Sequence, residues 1–227
     1  MLEFDLNYLI KREEKYGANS FDGTYGNPIK YLDGRNPILI SAPHSVNQNR
    51  EGKLKMGERY TGTIAEILSE HIDCHMITKL CNDGIDDNYI LYTRYKDTIG
   101  DIIDSNDIKF VLDLHGMLSS TDAGFRGYHI EIGSNYGKNL LNDRFILDLI
   151  IDSLNKYNIK DLKVDYKFKA SKPYTVSNYI ANNFNTPALQ LEISSDYRNP
   201  VFNIKNFNLL INSLINFLNS LLKIYRV

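Results

Sequence analysis

The feature that most constrains the fold of this chain is the alternation of short apolar runs with longer segments of helical periodicity. Runs of strand length occur at residues 37–42, 74–80, 109–116, 127–133, 162–168 and 187–194. Apolar residues at helical spacing occur at 57–72, 96–107, 143–157, 175–184 and 203–225. Strands separated by helices are typical of a largely parallel sheet that is covered by helices. We therefore predict an α/β fold.

The length and the hydrophobic content of the chain favour one domain. It has 227 residues, of which 43% are hydrophobic, so it can bury a sizeable core. The sequence contains no repeats and no linker rich in proline or glycine. We expect a single domain over residues 1–227, with three layers (α/β/α) around a mostly parallel mixed sheet.

Composition excludes several classes of partner. The formal net charge is only -2, which gives no reason to expect nucleic acid or an acidic membrane surface as a partner. We find no apolar run that approaches the ~20 residues needed to span a bilayer. Residues 1–17 carry acidic side chains early, unlike a secretory signal.

Cys74 and Cys81 are too few for a disulfide framework, so we expect a reducing, cytoplasmic setting.

Two histidines stand where predicted strands end. His44 closes the run "LISAPH", and His115 closes "VLDLH" just before a glycine. In an open α/β sheet, ligands bind beyond the carboxyl ends of the strands. Imidazole is the commonest protein ligand for Zn²⁺, and two histidines with one carboxylate leave a position open for water. With Glu58, which precedes the next helix, they predict one zinc ion per chain, or another divalent metal.

Two acidic residues compete for the third ligand position. Glu58 is either a ligand or a carboxylate that favours the nearby helix N-terminus. Asp113 lies two residues before His115 and so points to the same face of the strand. It is either a rival ligand or a partner that orients an imidazole.

Glu192 is the candidate general base. In "ALQLEIS" it shares one strand face with Ala188 and Gln190, in otherwise apolar company. Burying a carboxylate in a central strand costs free energy unless the carboxylate is paired with a cation or serves the chemistry of a site. Beside a metal-activated water it would accept a proton and deliver it to a leaving amine. The alternative is a salt bridge to Arg198 or another arginine.

Arginines in predicted loops are the candidates for binding a substrate carboxylate, because the guanidinium fork suits bidentate capture. Of Arg50, Arg94, Arg126 and Arg198, we select Arg94 and Arg126, although a single loop arginine is most often simply solvated. Tyr174 is a weaker candidate donor to an oxyanion.

The remaining polar residues are not assigned to the metal site. We expect His71, Asp73 and His75 at the surface, because they fall at the amino end of a strand. His129 is either packed or near the substrate. The acidic segment 82–88 lacks the acid spacing of an EF-hand and is interpreted as a turn.

The ordered motifs "SAPHSV", "GERYTG", "VLDLHG", "GFRGYHIEIG" and "ALQLEIS" resemble those of the N-formylglutamate amidohydrolase family. The resemblance spans roughly residues 37–200. That family is similar in fold to zinc carboxypeptidases and aspartoacylase-like deacylases, which implies a phosphorylase/hydrolase-like α/β/α fold. Val46 departs from the family's usual glycine, and Asn47 departs from a carboxypeptidase His-x-x-Glu motif.

The resemblance implies a zinc-dependent amidohydrolase that cleaves an amide bond in a small, carboxylate-bearing N-acyl amino acid or a short peptide. It makes His44, Glu58 and His115 the metal ligands and Glu192 the general base, with Arg126 or Arg94 on the substrate carboxylate. The alternatives are a metallocarboxypeptidase or cell-wall amidase on the same fold, and a binding protein that lacks catalysis.

Overall fold

A mixed seven-stranded sheet forms the centre of the protein, which the computed structural model describes over residues 1–124 and 127–225. Its strands are β1 (Ile29–Leu32), β2 (Asn36–Ala42), β5 (Cys74–Lys79), β6 (Phe110–Met117), β7 (Ile130–Gly133), β8 (Leu162–Val164) and β9 (Ala188–Ser194). They lie in the order β1-β5-β2-β6-β9-β7-β8. β1 is antiparallel to β5 and β7 to β9, and the other neighbours are parallel. A separate hairpin joins β3 (Gln48–Arg50) to β4 (Lys53–Lys55).

Helices cover both faces of this sheet. They are α1 (Leu6–Phe21), α2 (Thr61–Ile72), α3 (Arg94–Asn106), α4 (Arg144–Lys156), α5 (Val176–Phe184), α6 (Ser195–Arg198) and α7 (Ile204–Tyr225). The buried side chains of α2, α4 and α7 form one apolar core with the sheet, and those of α3 and α5 form a second core on the other face. The three-layer α/β/α fold with a mostly parallel sheet is therefore confirmed.

The two faces of the sheet differ in polarity along the strands. On the α7 side, β6 presents Phe110, Leu112 and Leu114, so this face is apolar over the whole strand. On the α3 side, β6 begins with Val111 and then continues with Asp113 and His115, all buried. β9 follows the same pattern, from Ala188 to Gln190 and Glu192. The polar residues of one face thus collect at the carboxyl ends of neighbouring strands.

Helix α7 differs from the sequence prediction in one respect. Its 22 residues are long and apolar enough to span a membrane by length and composition alone. Its apolar side, which includes Phe207, Leu214 and Leu221, is buried in the core of the protein. A core helix of a soluble protein passes the same test, so α7 is accounted for by packing.

Several elements were not predicted. Helix α1, strand β1 and the β3–β4 hairpin have no counterpart in the sequence interpretation. The predicted strand 162–168 ends at Val164 and lies at the sheet edge, and the helix predicted from residue 57 begins at Thr61. His75 is buried rather than exposed, because β1 covers it and its Nδ1 lies 2.8 Å from the Tyr31 hydroxyl.

Candidate active site

Three predicted ligands converge at the carboxyl ends of β2 and β6. The Nδ1 atoms of His44 and His115 lie 3.2 Å apart, and the rings meet edge to face with their centroids 4.7 Å apart. Glu58 Oε1 lies 2.9 Å from His44 Nδ1, and Glu58 Oε2 lies 3.2 Å from His115 Nδ1. One donor atom from each residue falls within 4.8 Å of the other two, which is close enough to hold one metal ion.

The backbone fixes where each of these side chains stands. His115 belongs to β6, whereas His44 lies in the turn that follows β2. Glu58 lies in the loop before α2, and its N–H donates to the His44 carbonyl at 2.7 Å. The Gly116 N–H donates to Glu58 Oε2 at 2.9 Å, so the carboxylate is tied to β6 as well.

The opposite nitrogen of each imidazole meets a buried aspartate. His44 Nε2 lies 2.8 Å from Asp86 Oδ1, and His115 Nε2 lies 3.1 Å from Asp113 Oδ2. The Ser41 hydroxyl donates to the other oxygen of Asp113 at 2.8 Å. A carboxylate that accepts from Nε2–H fixes the tautomer and leaves the Nδ1 lone pair for a metal. Asp113 is thus placed to orient His115, and Asp86 does the same for His44.

Neighbouring charges shift the pKa values of two of the proposed ligands, Glu58 and His115. Burial alone would raise the pKa of Glu58, but His44, Lys55 and His115 outweigh it and hold that pKa well below its usual range. Burial would lower the pKa of His115, but the carboxylates of Asp113 and Glu58 raise it well above its usual range. Two nitrogens and a carboxylate form a donor set that fits zinc, whose binding would release the proton from His115.

The ammonium of Lys55 lies next to the same donor atoms. Its Nζ donates to His44 Nδ1 at 3.0 Å and to Glu58 Oε1 at 3.1 Å. Lys55 ends the β3–β4 hairpin, and its side chain is 33% exposed. A metal ion would take the same lone pairs, so its binding requires this flexible side chain to move.

Glu192 lies beside His115 on the next strand of the sheet. It is the β9 partner of His115 in the β6–β9 register and is almost fully buried. Burial raises the pKa of Glu192 to about 8, and the charges of Glu58 and Glu131 act in the same direction. Gln190 Nε2 donates to Glu192 Oε1 at 2.9 Å. A carboxyl group with a pKa near neutrality, beside a metal-type donor set, has the properties of a general base.

A cavity of about 590 Å³ opens over these residues. His44, Glu58, His115 and Glu192 are among the residues that line it. Arg50 and Arg198 also line it, as does the predicted oxyanion donor Tyr174. Its volume is typical of sites that bind a small organic molecule or a short peptide.

Of the two selected arginines, only Arg94 lies within the described residues, and it does not line this cavity. Arg94 is exposed at the start of α3 and lines a separate depression with Lys30 and Leu80. Arg126 lies outside the described residues. Arg198 is instead buried beside the ligands, where its guanidinium donates to the carbonyls of Ile193 and Arg59.

Sequence reasoning missed several polar residues of the site. Asp86 falls in the segment that was interpreted as a turn, and Lys55 falls in an unpredicted hairpin. A usable signal for Asp86 was its place shortly after the carboxyl end of β5, the same edge that carries His44 and His115. His129 lies against Ser194 and Asp196, at 2.9 Å and 3.4 Å, and does not line the cavity.

Comparison with known proteins identifies the fold. No protein-family model and no curated protein sequence matches the chain. The gene product Atu2144 from Agrobacterium tumefaciens has a similar structure, with a TM-score of 0.62 at 11% identity, over 89% of this chain and 97% of that one. The structure of N-formylglutamate amidohydrolase from Ralstonia eutropha JMP134 is similar with a TM-score of 0.56 at 12% identity. The match covers 83% of this chain and 97% of that one.

A metallo-carboxypeptidase from Burkholderia cenocepacia is also similar. Its TM-score is 0.52 at 9% identity, and the match covers 96% of this chain and 71% of that one. At such low identity, the likeness concerns the fold alone. The chain therefore shares a fold that occurs in an amidohydrolase and in a carboxypeptidase.

Proposed function

We propose that this protein is a zinc-dependent amidohydrolase of the cytoplasm that cleaves an amide bond in a carboxylate-bearing N-acyl amino acid or short peptide. One observation carries the proposal: the donor atoms of His44, Glu58 and His115 converge in one cavity that Glu192 also lines. The fold shared with solved amidohydrolase and carboxypeptidase structures supports the same reaction class.

The metal would be held by His44 Nδ1, His115 Nδ1 and a carboxylate oxygen of Glu58. A bound divalent cation supplies two effects in such sites, polarisation of a carbonyl oxygen and a lower pKa for water. The imidazoles are suited to it because Asp86 and Asp113 engage their Nε2 atoms. We assign Asp113 to this orienting role and Glu58 to the ligand position.

Glu192 is assigned the proton transfers. Its carboxylate accepts a proton from water as the water oxygen bonds to the amide carbon. It returns that proton to the amide nitrogen as the C–N bond breaks, which yields a carboxylic acid and an amine. Because the pKa of Glu192 is raised to about 8, its carboxylate is a stronger base than an ordinary glutamate.

Cationic side chains at the cavity would hold the substrate carboxylate. Arg50 lines the cavity with a side chain that is 36% exposed, and it also pairs with Asp86 at 2.7 Å. Arg198 is committed to backbone carbonyls and so serves mainly to shape the site. Arg126 keeps the substrate-binding role that the sequence resemblance implies.

Metal analysis combined with an amidase assay tests this proposal. The zinc-loaded protein should hydrolyse N-formylglutamate or another member of a panel of N-acyl amino acids. Glu192→Gln should retain the metal and lower kcat by about 10²- to 10⁴-fold, the usual range for a general base. His115→Ala should lose both metal and turnover.

The matched control is His71→Ala, which removes an exposed histidine at the end of α2. This variant should keep both metal and activity. Wild-type kcat in Glu192→Gln would contradict the assignment of the base. Preferential cleavage of peptides with a free C-terminus over N-formylglutamate would replace the proposed substrate by that of a carboxypeptidase.

A further inference from the structure

One wall of the cavity is a short basic segment between β8 and α5. Residues 166–172 follow β8 and run along the cavity, and they contribute Lys167, Lys169 and Lys172 to its lining. Three lysines within six residues stand out in a chain whose formal net charge is -2. We name residues 166–172 the lysine wall.

Hydrogen bonds to a buried carboxylate hold the backbone of the lysine wall in place. Glu131 Oε1 accepts from the N–H groups of Tyr166 at 3.1 Å and Lys167 at 2.5 Å, and also from that of Phe168. Glu131 itself is fully buried on β7. A buried carboxylate that accepts several backbone N–H bonds strongly favours this one loop conformation. The carbonyls of Lys169 and Ala170 also accept, from the Asn135 N–H at 2.8 Å and from Asn139 Nδ2 at 2.9 Å, so the lysine side chains extend from a fixed support.

The other cations that line the cavity are already engaged, and Arg198 is held by the backbone carbonyls of Ile193 and Arg59. Lys55 pairs with Glu58, and Arg50 pairs with Asp86. Lys167 and Lys172 differ, because over residues 1–124 and 127–225 neither of their ammonium groups forms an ion pair. Both residues are exposed, and Lys169 donates to the hydroxyl of Tyr136 at 2.6 Å. The positive charge of the site that is both exposed and free of ion pairs is therefore concentrated in the lysine wall.

We infer that the lysine wall selects substrates that carry further carboxylates, so the preferred substrate is a short acidic peptide rather than a single N-acyl amino acid. The inference rests on the proposed function for the cleavage of an amide bond. It rests on the lysine wall for the preference for negatively charged substrates. Complementary charge at a cleft raises both the affinity and the association rate of an anionic ligand. At about 590 Å³, the cavity has room for more than one amino-acid residue.

Peptide binding to the Glu192→Gln protein tests the inference without turnover. The probes are fluorescein-labelled tetraglutamate and tetraglutamine, and the readout is fluorescence anisotropy. Tetraglutamate should bind more tightly, and the difference should shrink as salt screens the charges. In the same background, Lys167→Gln with Lys172→Gln should weaken tetraglutamate binding about 5- to 10-fold, as two exposed ion pairs would. Tetraglutamine binding should not change.

Lys160→Gln with Lys163→Gln is the matched control, because both lysines are exposed near β8 and neither lines the cavity. It should bind tetraglutamate as the parent does. Charge reversal, Lys167→Glu with Lys172→Glu, should weaken tetraglutamate binding further. Equal affinity of parent and lysine-wall variants overturns the inference, and so does equally tight binding of a thymidine oligonucleotide of the same charge. If amide hydrolysis fails while these affinities behave as expected, only the proposed reaction is lost.

Discussion

At the scale of single residues, the site depends on which imidazole nitrogen is free. Asp86 and Asp113 each hold one Nε2 atom, and both aspartates are fully buried. Asp86 also accepts from Arg50, which stacks on the Tyr89 ring at 4.7 Å. The carboxylate that orients His44 is thus connected directly to a side chain of the cavity wall.

We expect Asp86→Asn to weaken zinc binding about 10- to 100-fold, the usual cost of losing such an orienting carboxylate. The neutral amide stabilises the Nε2–H of His44 less well and therefore makes Nδ1 a poorer ligand. Competition with a chromophoric chelator measures the affinity. Asp104→Asn, which changes an exposed aspartate on α3, is the control. Equal affinity of the two variants would show that Asp86 does not tune the site.

At the scale of elements, α1 supplies a cap that α2 lacks in its own sequence. The residue before α2 is Tyr60, which has a positive φ of 67° and no side-chain cap. Glu13 of α1 accepts from the Tyr60 N–H at 2.7 Å and from the Thr63 hydroxyl at 2.6 Å. Because Glu58 lies just before this junction, α1 helps to fix the loop that carries a proposed ligand.

We expect Glu13 to make the stability of the protein depend on pH. Burial raises the pKa of Glu13 to about 7, from 4.5. Between these values the folded state holds a proton that the unfolded state has released, so the free energy of unfolding falls as pH rises. The fall approaches about 3 kcal/mol by pH 7 for a shift of this size. Glu13→Gln has no such proton to lose, so its advantage over the wild type should grow across this range.

Urea unfolding at several pH values measures that effect. Glu14→Gln alters the exposed neighbour on the same helix and should follow the wild type at every pH. If the curves of Glu13→Gln and the wild type ran parallel from pH 4.5 to 7, the buried carboxyl group would not be the source of the pH dependence.

At the scale of the whole molecule, the parts predicted from sequence are those that local patterns determine. The strands β2, β6 and β9 are apolar runs that the sequence predicts. His44 follows β2 and His115 lies near the end of β6, so the search for polar residues at strand ends located both histidines. Strand β1 depends on a distant partner, because it pairs with β5. Helix α1 does carry local signals, the N-cap Asp5 and a buried side at Leu9, Glu13 and Tyr16, which the sequence interpretation left out. Asp86 was missed because its turn-rich surroundings indicate an exposed turn and outweigh its position after the carboxyl end of β5. Long-range pairing, which a single sequence does not display, accounts for the rest.

Zinc should stabilise the folded protein, because the three proposed ligands come together only in the folded state. Binding to the native state alone adds about 4 kcal/mol at a free zinc concentration about 1,000 times Kd. For a chain of this size, that raises Tm by about 8–16 °C in thermal unfolding. His115→Ala should lose the shift, whereas His71→Ala should keep it. Magnesium, which prefers oxygen ligands, should have little effect. A zinc shift that survives in His115→Ala would place the metal elsewhere, because His44 and Glu58 alone cannot complete the proposed donor set.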